Sequence, residues 1–237
     1  MTGSQKPKMS KLQNSPGTLY VVATPIGNLS DTSQRVIETL KTVDVVAAED
    51  TRVTKKLLSA FDIQTAITSL HQHTSSTKEK TLVRDLQNGT TMAVVTDAGT
   101  PGISDPGSRF VAMALEQGIR VIPIPGPSAL TAALSICGFP TNRFTFVGFP
   151  PSKKGRTKFF DDVASIPHTV VLYESKHRLT KTLEVLPPTR RAVVARELTK
   201  MHETIYRGTI EEIREALQDK QKGEMVIVLA PLSETPL

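Results

Sequence analysis

Thr96-Asp97-Ala98-Gly99-Thr100-Pro101-Gly102-Ile103-Ser104-Asp105-Pro106-Gly107 is the stretch on which the reading of this chain turns. It directly follows an apolar, β-branched run, Met92–Val95, and packs three glycines and two prolines into twelve residues. A plain surface turn ending in an Asp105 helix cap would need far less fixed geometry. Long, conformationally rigid connections in compact domains are usually functional. The glycines let backbone carbonyls and amides approach a ligand without side-chain obstruction.

Working outward from this loop, apolar β-type runs alternate with amphipathic helical stretches. Leu19–Ala23, Val43–Ala48, Ala66–Leu70, Met92–Val95 and Arg120–Ile122 read as strands. Asp31–Leu40 reads as a helix with Asp31 as N-cap. Thr77–Gln87 is a second helix, stopping at Asn88-Gly89, and Ser104–Gln117 a third, closing at Gly118. Such alternation predicts an α/β fold with a mainly parallel sheet covered on both faces. The turn residues Gly138-Phe139-Pro140-Thr141-Asn142 break the rhythm and mark a linker. Beyond them come strand Phe144–Val147, helix Gly155–Val163, strand Thr169–Tyr173, helix Lys176–Glu184, strands Ala192–Ala195 and Glu203–Arg207, helix Ile210–Gln218 and strand Met225–Leu229. The expected organisation is a basic arm at 1–17 whose composition reads as disordered, an N-terminal α/β domain at 18–138 and a C-terminal α/β domain at 139–237.

Composition narrows the function classes. Hydrophobic residues make up 38% of the 237, with no tryptophan and 5% aromatics, so the cores rest on Val, Ile, Leu and Ala. No apolar run reaches the ~20 residues of a membrane span, and the first 17 residues carry no apolar stretch of the secretory kind. The single cysteine, Cys137, lies among Leu134, Ile136 and Phe139 and reads as a buried thiol, in keeping with the cytoplasm. The net charge of +6 is uneven: ten Lys/Arg against eleven Asp/Glu between Leu12 and Pro140, but sixteen against twelve from Thr141 onward, with Lys6, Lys8 and Lys11 in the arm. That asymmetry suits a polyanionic partner.

In α/β sheets, ligands bind beyond the carboxyl ends of the strands. Two further loops occupy such positions: Ala23-Thr24-Pro25-Ile26-Gly27-Asn28-Leu29, and Pro123-Ile124-Pro125-Gly126-Pro127-Ser128-Ala129, which opens a helix over Ser128–Ile136. Neither contains GxGxxG, and GxxxxGK[ST] occurs nowhere, which argues against dinucleotide and nucleoside-triphosphate loops.

The order TPIGNL (Thr24–Leu29), AEDTR (Ala48–Arg52), DAGTPGISDPG (Asp97–Gly107) and PGPSA (Pro125–Ala129) resembles the tetrapyrrole-methylase superfamily. It continues with GFP at Gly148–Pro150, Lys153-Lys154-Gly155-Arg156, YESKHRL at Tyr173–Leu179, ARELTK at Ala195–Lys200 and GEMVIV at Gly223–Val228. The pattern, from about Thr18 to Ala230, is similar to the branch that methylates small-subunit ribosomal RNA. The resemblance implies two α/β domains with S-adenosylmethionine in the cleft between them, and commonly a homodimer. Tetrapyrrole-making relatives carry Gly-x-Gly-Pro-Gly in the first loop. Thr24-Pro25-Ile26-Gly27-Asn28 departs from that and favours the RNA branch. By the same resemblance, cofactor contacts fall on Thr24, Pro25, Gly27, Asp97, Gly99, Thr100, Pro101, Gly102, Ile103, Ser128 and Ala129. The second domain would add Tyr173, Ala195, Arg196, Glu197, Leu198, Glu224 and Met225. The implied substrate is the ribose 2′-hydroxyl of a decoding-site cytidine in 16S rRNA, presented as RNA or as the small ribosomal subunit. The family extends some tens of residues past its last strand, whereas this sequence ends seven residues after Ala230; the expectation is that such an extension would add RNA grip and leave the cofactor site alone. Rival readings are a methylase of a uroporphyrinogen or precorrin-type tetrapyrrole, and a non-catalytic RNA-binding protein on an inherited fold.

A protonated ribose hydroxyl is a poor nucleophile, so a base beside it is expected. Glu49, Asp97 and Asp105 are the leading candidates, with Asp50, Glu174 and Glu197 behind them. Asp50 and Glu174 have ordinary alternatives as a helix cap or as partners of Arg52 and Arg178. His71-Gln72-His73 has no third ligand at metal-binding spacing, so no metal is expected. For RNA, Arg143, Lys153, Lys154, Arg156 and Lys158 form a run with no acidic residue, interleaved with Phe144, Phe146, Phe149, Phe159 and Phe160. Phe144 and Phe146 read as core; Phe149 reads equally as core or as a base-stacking ring.

Overall fold

A computed structural model describes residues 15–175, 177–217 and 223–233. The first half builds one five-stranded sheet from β1 (Thr18–Val22), β2 (Val45–Ala48), β3 (Ala66–Ser69), β4 (Met92–Val95) and β5 (Arg120–Ile124). Its order is β3-β2-β4-β1-β5 and every pairing is parallel. Both faces are covered, so the strands bury side chains of both parities. Leu19, Met92 and Val94 face α3 (Ser76–Gln87) and α4 (Ser108–Glu116), meeting Leu82, Leu86 and Phe110. Val22, Ala93 and Val95 face α1 (Gln34–Thr42) and α2 (Thr51–Ala60), meeting Val36, Leu40 and Leu58.

The second sheet joins β6 (Phe144–Phe146), β7 (Thr169–Ser175), β8 (Arg191–Arg196), β9 (Thr204–Thr209) and β10 (Glu224–Leu229) in the order β6-β7-β10-β8-β9. Only β6–β7 is parallel; the other three pairings are antiparallel. One face packs on α6 (Arg156–Ser165), α7 (Leu179–Val185) and α8 (Ile210–Leu217) through Phe160, Val163, Leu183 and Ile213. The opposite face is covered by α5 (Ala129–Cys137), whose Ala133, Leu134 and Cys137 pack on Val171, Val193, Val226 and Val228. The helix that follows the last strand of the first sheet thus completes the core of the second.

Several local expectations shift. The cap of α1 is Ser33, whose hydroxyl accepts from the Val36 N–H; Asp31 ends a 3-10 turn instead. The helix after the Gly/Pro-rich stretch begins at Ser108, not Ser104, because Pro106 biases its predecessor away from helical geometry and Gly107 has φ +124°. Asp105 is therefore not its cap. Asp50 takes its ordinary alternative as a helix cap, at the start of α2, a helix missing from the expected series. The basic arm lies outside the described residues over 1–14, as does the expected helix start at Lys176 and the end at Gln218. Among the described residues no helix is long and apolar enough to cross a membrane.

Candidate active site

At the carboxyl ends of β1 and β4 the first two loops are clamped together. The Thr24 N–H donates to the Gly99 carbonyl at 2.9 Å and the Gly99 N–H returns to the Thr24 carbonyl at 3.1 Å. The Thr24 hydroxyl adds a bond to the Thr96 carbonyl at 3.0 Å. Gly99 (φ +81°) and Gly102 (φ +83°) hold left-handed turns that a side chain would strain. The loop after β2 is locked to the same place: the Asp50 N–H donates to Asp97 Oδ1 at 3.1 Å, and the Asp97 N–H to Glu49 Oε2 at 3.3 Å.

These loops form one wall of a cavity of about 310 Å³ between the two sheets. The wall contributes Ile26, Glu49, Asp97, Ala98, Gly99, Thr100, Ile103, Ser104 and Asp105, joined by Ser128 and Ala129 at the start of α5. The facing wall consists of Phe149, Tyr173, Glu174, Ala195, Glu197, Leu198, Lys200, Glu224, Met225 and Val226. The Tyr173 hydroxyl faces Ser128 and the Leu130 backbone at the start of α5. Burial pushes that phenol up.

Of the expected cofactor contacts, Asp97, Gly99, Thr100, Ile103, Ser128, Ala129, Tyr173, Ala195, Glu197, Leu198, Glu224 and Met225 are brought to this cavity. Thr24, Pro25 and Gly27 line a neighbouring cleft of about 330 Å³ that shares Ile26, Asp97, Ala98, Lys200 and Glu224 with the first. Pro101 is buried behind the loop, and Gly102 and Arg196 do not line the cavity.

The three leading carboxylates converge here, and their environments separate them. Glu49 is raised, first by burial and then by the charges of Asp97 and Asp50. Asp97 is raised by partial desolvation, opposed by the bond from the Asp50 N–H. Asp105 is pushed up to about 6 by burial and by the like charges of Glu49, Asp97 and Glu224. The other candidates are committed elsewhere. Asp50 caps α2 and grips Arg52, which holds its carboxyl down at about 2. The Glu174 side chain has no exposure and takes Arg178 at 2.9 Å and Arg156 at 3.8 Å, with further bonds from the Ser175 N–H and Thr182 hydroxyl. That saturation removes it as a proton acceptor.

Lys200, though inside an expected motif, was not foreseen as a site residue. Its ammonium joins Glu197 Oε1 and Glu224 Oε2, each at 3.0 Å, which lifts the lysine against the opposing effect of burial. Glu197, raised by burial, is brought below its usual value by the Glu224 N–H and by Lys200. Its φ of +52° shows that the β8–β9 turn is held in a costly conformation.

The basic run divides. Arg143, Lys153, Lys154 and Lys158 are exposed, Lys158 pairing with Asp162 at 3.1 Å. Arg156 is not part of that surface: its side chain is 18% exposed, bonded to Thr182 and the Pro151 carbonyl and set over the Phe160 ring. Phe146 is half-buried against Tyr173, as expected of core, whereas Phe144 is 41% exposed because β6 is an edge strand. His71 and His73 lie exposed in a turn with ring centroids 6.3 Å apart, and among the described residues no group of three or more metal-ligating side chains occurs.

The family model of the tetrapyrrole (corrin/porphyrin) methylases matches residues 18–214. A ribosomal RNA small subunit methyltransferase I from Escherichia coli O157:H7 is 46% identical over 224 residues, spanning 91% of this chain and 78% of that protein. Its counterpart from Halalkalibacterium halodurans is 48% identical over 218 residues, spanning 90% and 75%. Among solved structures, a diphthine synthase superposes with a TM-score of 0.70 at 16% identity, covering 90% of this chain and 89% of that one. A uroporphyrin-III C-methyltransferase from Thermus thermophilus, complexed with S-adenyl homocysteine, superposes at 0.63 and 18% identity, covering 90% and 97%. At that identity the two structures speak for the fold, while the sequence match over most of the chain establishes descent: the chain belongs to the tetrapyrrole methylase family.

Proposed function

We propose that this chain transfers a methyl group from S-adenosylmethionine to the 2′-oxygen of a decoding-site cytidine ribose in small-subunit ribosomal RNA. The observation that carries the reading is the cavity in which a glycine-lined loop and the carboxylates Glu49, Asp97, Asp105 and Glu224 converge. Its volume of about 310 Å³ lies at the lower end of the usual range for small-molecule sites. The donor carries two positive groups, a sulfonium and an ammonium, which the carboxylates Glu49, Asp97 and Asp105 on one wall complement. Ala129, Ala195, Leu198, Met225 and Val226 offer apolar surface to the adenine. The name shared by relatives near 46–48% identity points to RNA over a tetrapyrrole as acceptor.

When bound, S-adenosylmethionine would supply a methyl carbon activated by its positive sulfur, open to attack by the ribose oxygen with S-adenosylhomocysteine as the leaving group. The protein's share is position and proton transfer. Holding the two reactants aligned is worth about 7–11 kcal/mol in well-oriented systems. Asp105, pushed up to about 6, is suited to accept the hydroxyl proton as the new C–O bond forms. The Glu49 and Asp97 carboxylates each hold a backbone N–H of the adjoining loop, so they fix the wall and raise Asp105.

The test is transfer of labelled methyl from S-adenosylmethionine to small ribosomal subunits lacking the modification, with uroporphyrinogen in a parallel reaction. Label on a ribose 2′-oxygen of the decoding site is the expected result. Label on the tetrapyrrole alone refutes the RNA assignment while leaving fold and cofactor in place.

A further inference from the structure

The segment between β6 and α6 supplies the cavity with its one exposed aromatic ring. Phe149 lines the cavity yet is 51% exposed. Leaving that much of a phenyl ring in water forgoes hydrophobic stabilisation, so the core does not account for its placement. The ring is nonetheless held. Its centroid lies 5.4 Å from Tyr173, which itself packs edge-on against Phe146 at 4.9 Å.

The backbone under the ring is pinned from below. Arg178 Nη1 donates to the Pro150 carbonyl at 2.9 Å, and Arg156 Nη1 to the Pro151 carbonyl at 3.2 Å. Both guanidiniums end on the buried Glu174, the residue after Tyr173 on β7. Across the cavity this segment abuts the Gly/Pro-rich loop, since a Cβ added to Gly148 would stand 3.1 Å from Ser104 Oγ. The exposed Lys153 and Lys154 follow a few residues later. An apolar ring fixed at a cavity mouth, with exposed, unpaired lysines four and five residues further along the same segment, has the composition of a single-strand nucleic-acid platform.

We infer that Phe149 is the stacking platform for the unstacked target base, with Lys153 and Lys154 meeting flanking phosphates, an assignment that rests on the RNA reading above. The Glu174–Arg156–Arg178 cluster is a positioning device: it presets the loop, so that stacking does not have to order it.

The experiment compares the unsubstituted chain with F149A, F149L and F149Y on unmodified small subunits, alongside calorimetric titration with S-adenosylhomocysteine and thermal unfolding. Base–aromatic stacking predicts about a 5- to 150-fold loss of kcat/KM for F149A. A similar loss is expected for F149L, which keeps apolar volume without a π-face, and near-normal transfer for F149Y. S-adenosylhomocysteine affinity stays within about threefold in all four, since the ring serves the acceptor. Full transfer by F149L shows that the ring merely packs and overturns the inference, as does a matching loss of S-adenosylhomocysteine binding. If F149A does not fold, the F149L and F149Y pair decides. No transfer to RNA by the unsubstituted chain refutes the functional reading itself, a result distinct from normal transfer by F149L.

Discussion

Asp105→Asn is expected to make the protein more stable and far slower at the same time. The carboxyl is pushed from its ordinary 3.8 to about 6 by burial and by Glu49, Asp97 and Glu224. Below pH 3.8 the folded and unfolded chains both hold this proton. Between 3.8 and about 6 the folded chain keeps a proton that the unfolded chain has released, so stability falls as pH rises through that window and the cost is complete above it. At face value the displacement corresponds to about 3 kcal/mol. Asp105 is only partly buried, and solvent screening reduces the figure to about 1 kcal/mol. Asparagine carries no such cost. For a chain of this size, 1 kcal/mol moves Tm by about 2–4 °C. Thermal unfolding of both proteins at pH 4 and pH 7.5 should show a small difference at the acid end and a gain of that size for the variant at the other. Methyl transfer by the unsubstituted chain should climb with pH through about 6, and the variant should lose about 10²–10⁴-fold of it. A Tm difference independent of pH, or a variant that keeps the acid limb of the rate profile, would refute the assignment of Asp105 as the strained proton acceptor.

Three further outcomes follow from the geometry. Glu174→Gln leaves two partly buried guanidiniums without their shared carboxylate and is expected to cost about 3 kcal/mol, read from urea unfolding. Replacing Lys153 and Lys154 together by alanine removes two exposed cations: the salt dependence of subunit binding should flatten by about one to two in log–log slope, with S-adenosylhomocysteine affinity unchanged. Gly99→Ala places a Cβ 3.6 Å from Ile26 Cγ2, an ordinary contact, so its cost is the φ of +81° alone, about 1 kcal/mol in Tm or urea measurements.

The first sheet was legible because strands buried on both faces and helices with clear stops repeat through it. Met92–Val95 and Thr77–Gln87 are seen almost at the observed bounds. What escaped were features set by distant partners. The antiparallel pairing of β8, β9 and β10 depends on which strand lies beside which, and β-type runs carry no direction. For helix α2 the local signal is the capping of the Arg52 N–H by Asp50, a reading the sequence offers for Asp50, but without the ten-residue helix that follows it. Within the site, the Gly/Pro-rich loops announced the wall they form. Lys200 escaped because its role arises from Glu197 and Glu224, the latter 24 residues away. Arg156 was misjudged from composition, since a basic run does not reveal which member turns inward toward Glu174.

The position of α5 carries a cost during synthesis. Its apolar face is matched by β7, β8 and β10, yet 87 positions separate Cys137 from Glu224 at the start of β10. At ordinary translation rates of ~5–20 residues per second, the helix waits about 4–17 s for its last partner strand. Through that interval the first sheet has all five strands, while the part of the surface over Ala133, Leu134 and Cys137 that β10 supplies is still missing. The nascent chain therefore passes through a half-built stage with a sticky helix at its growing end, a natural point for chaperone capture or for mispairing between neighbouring chains on one message.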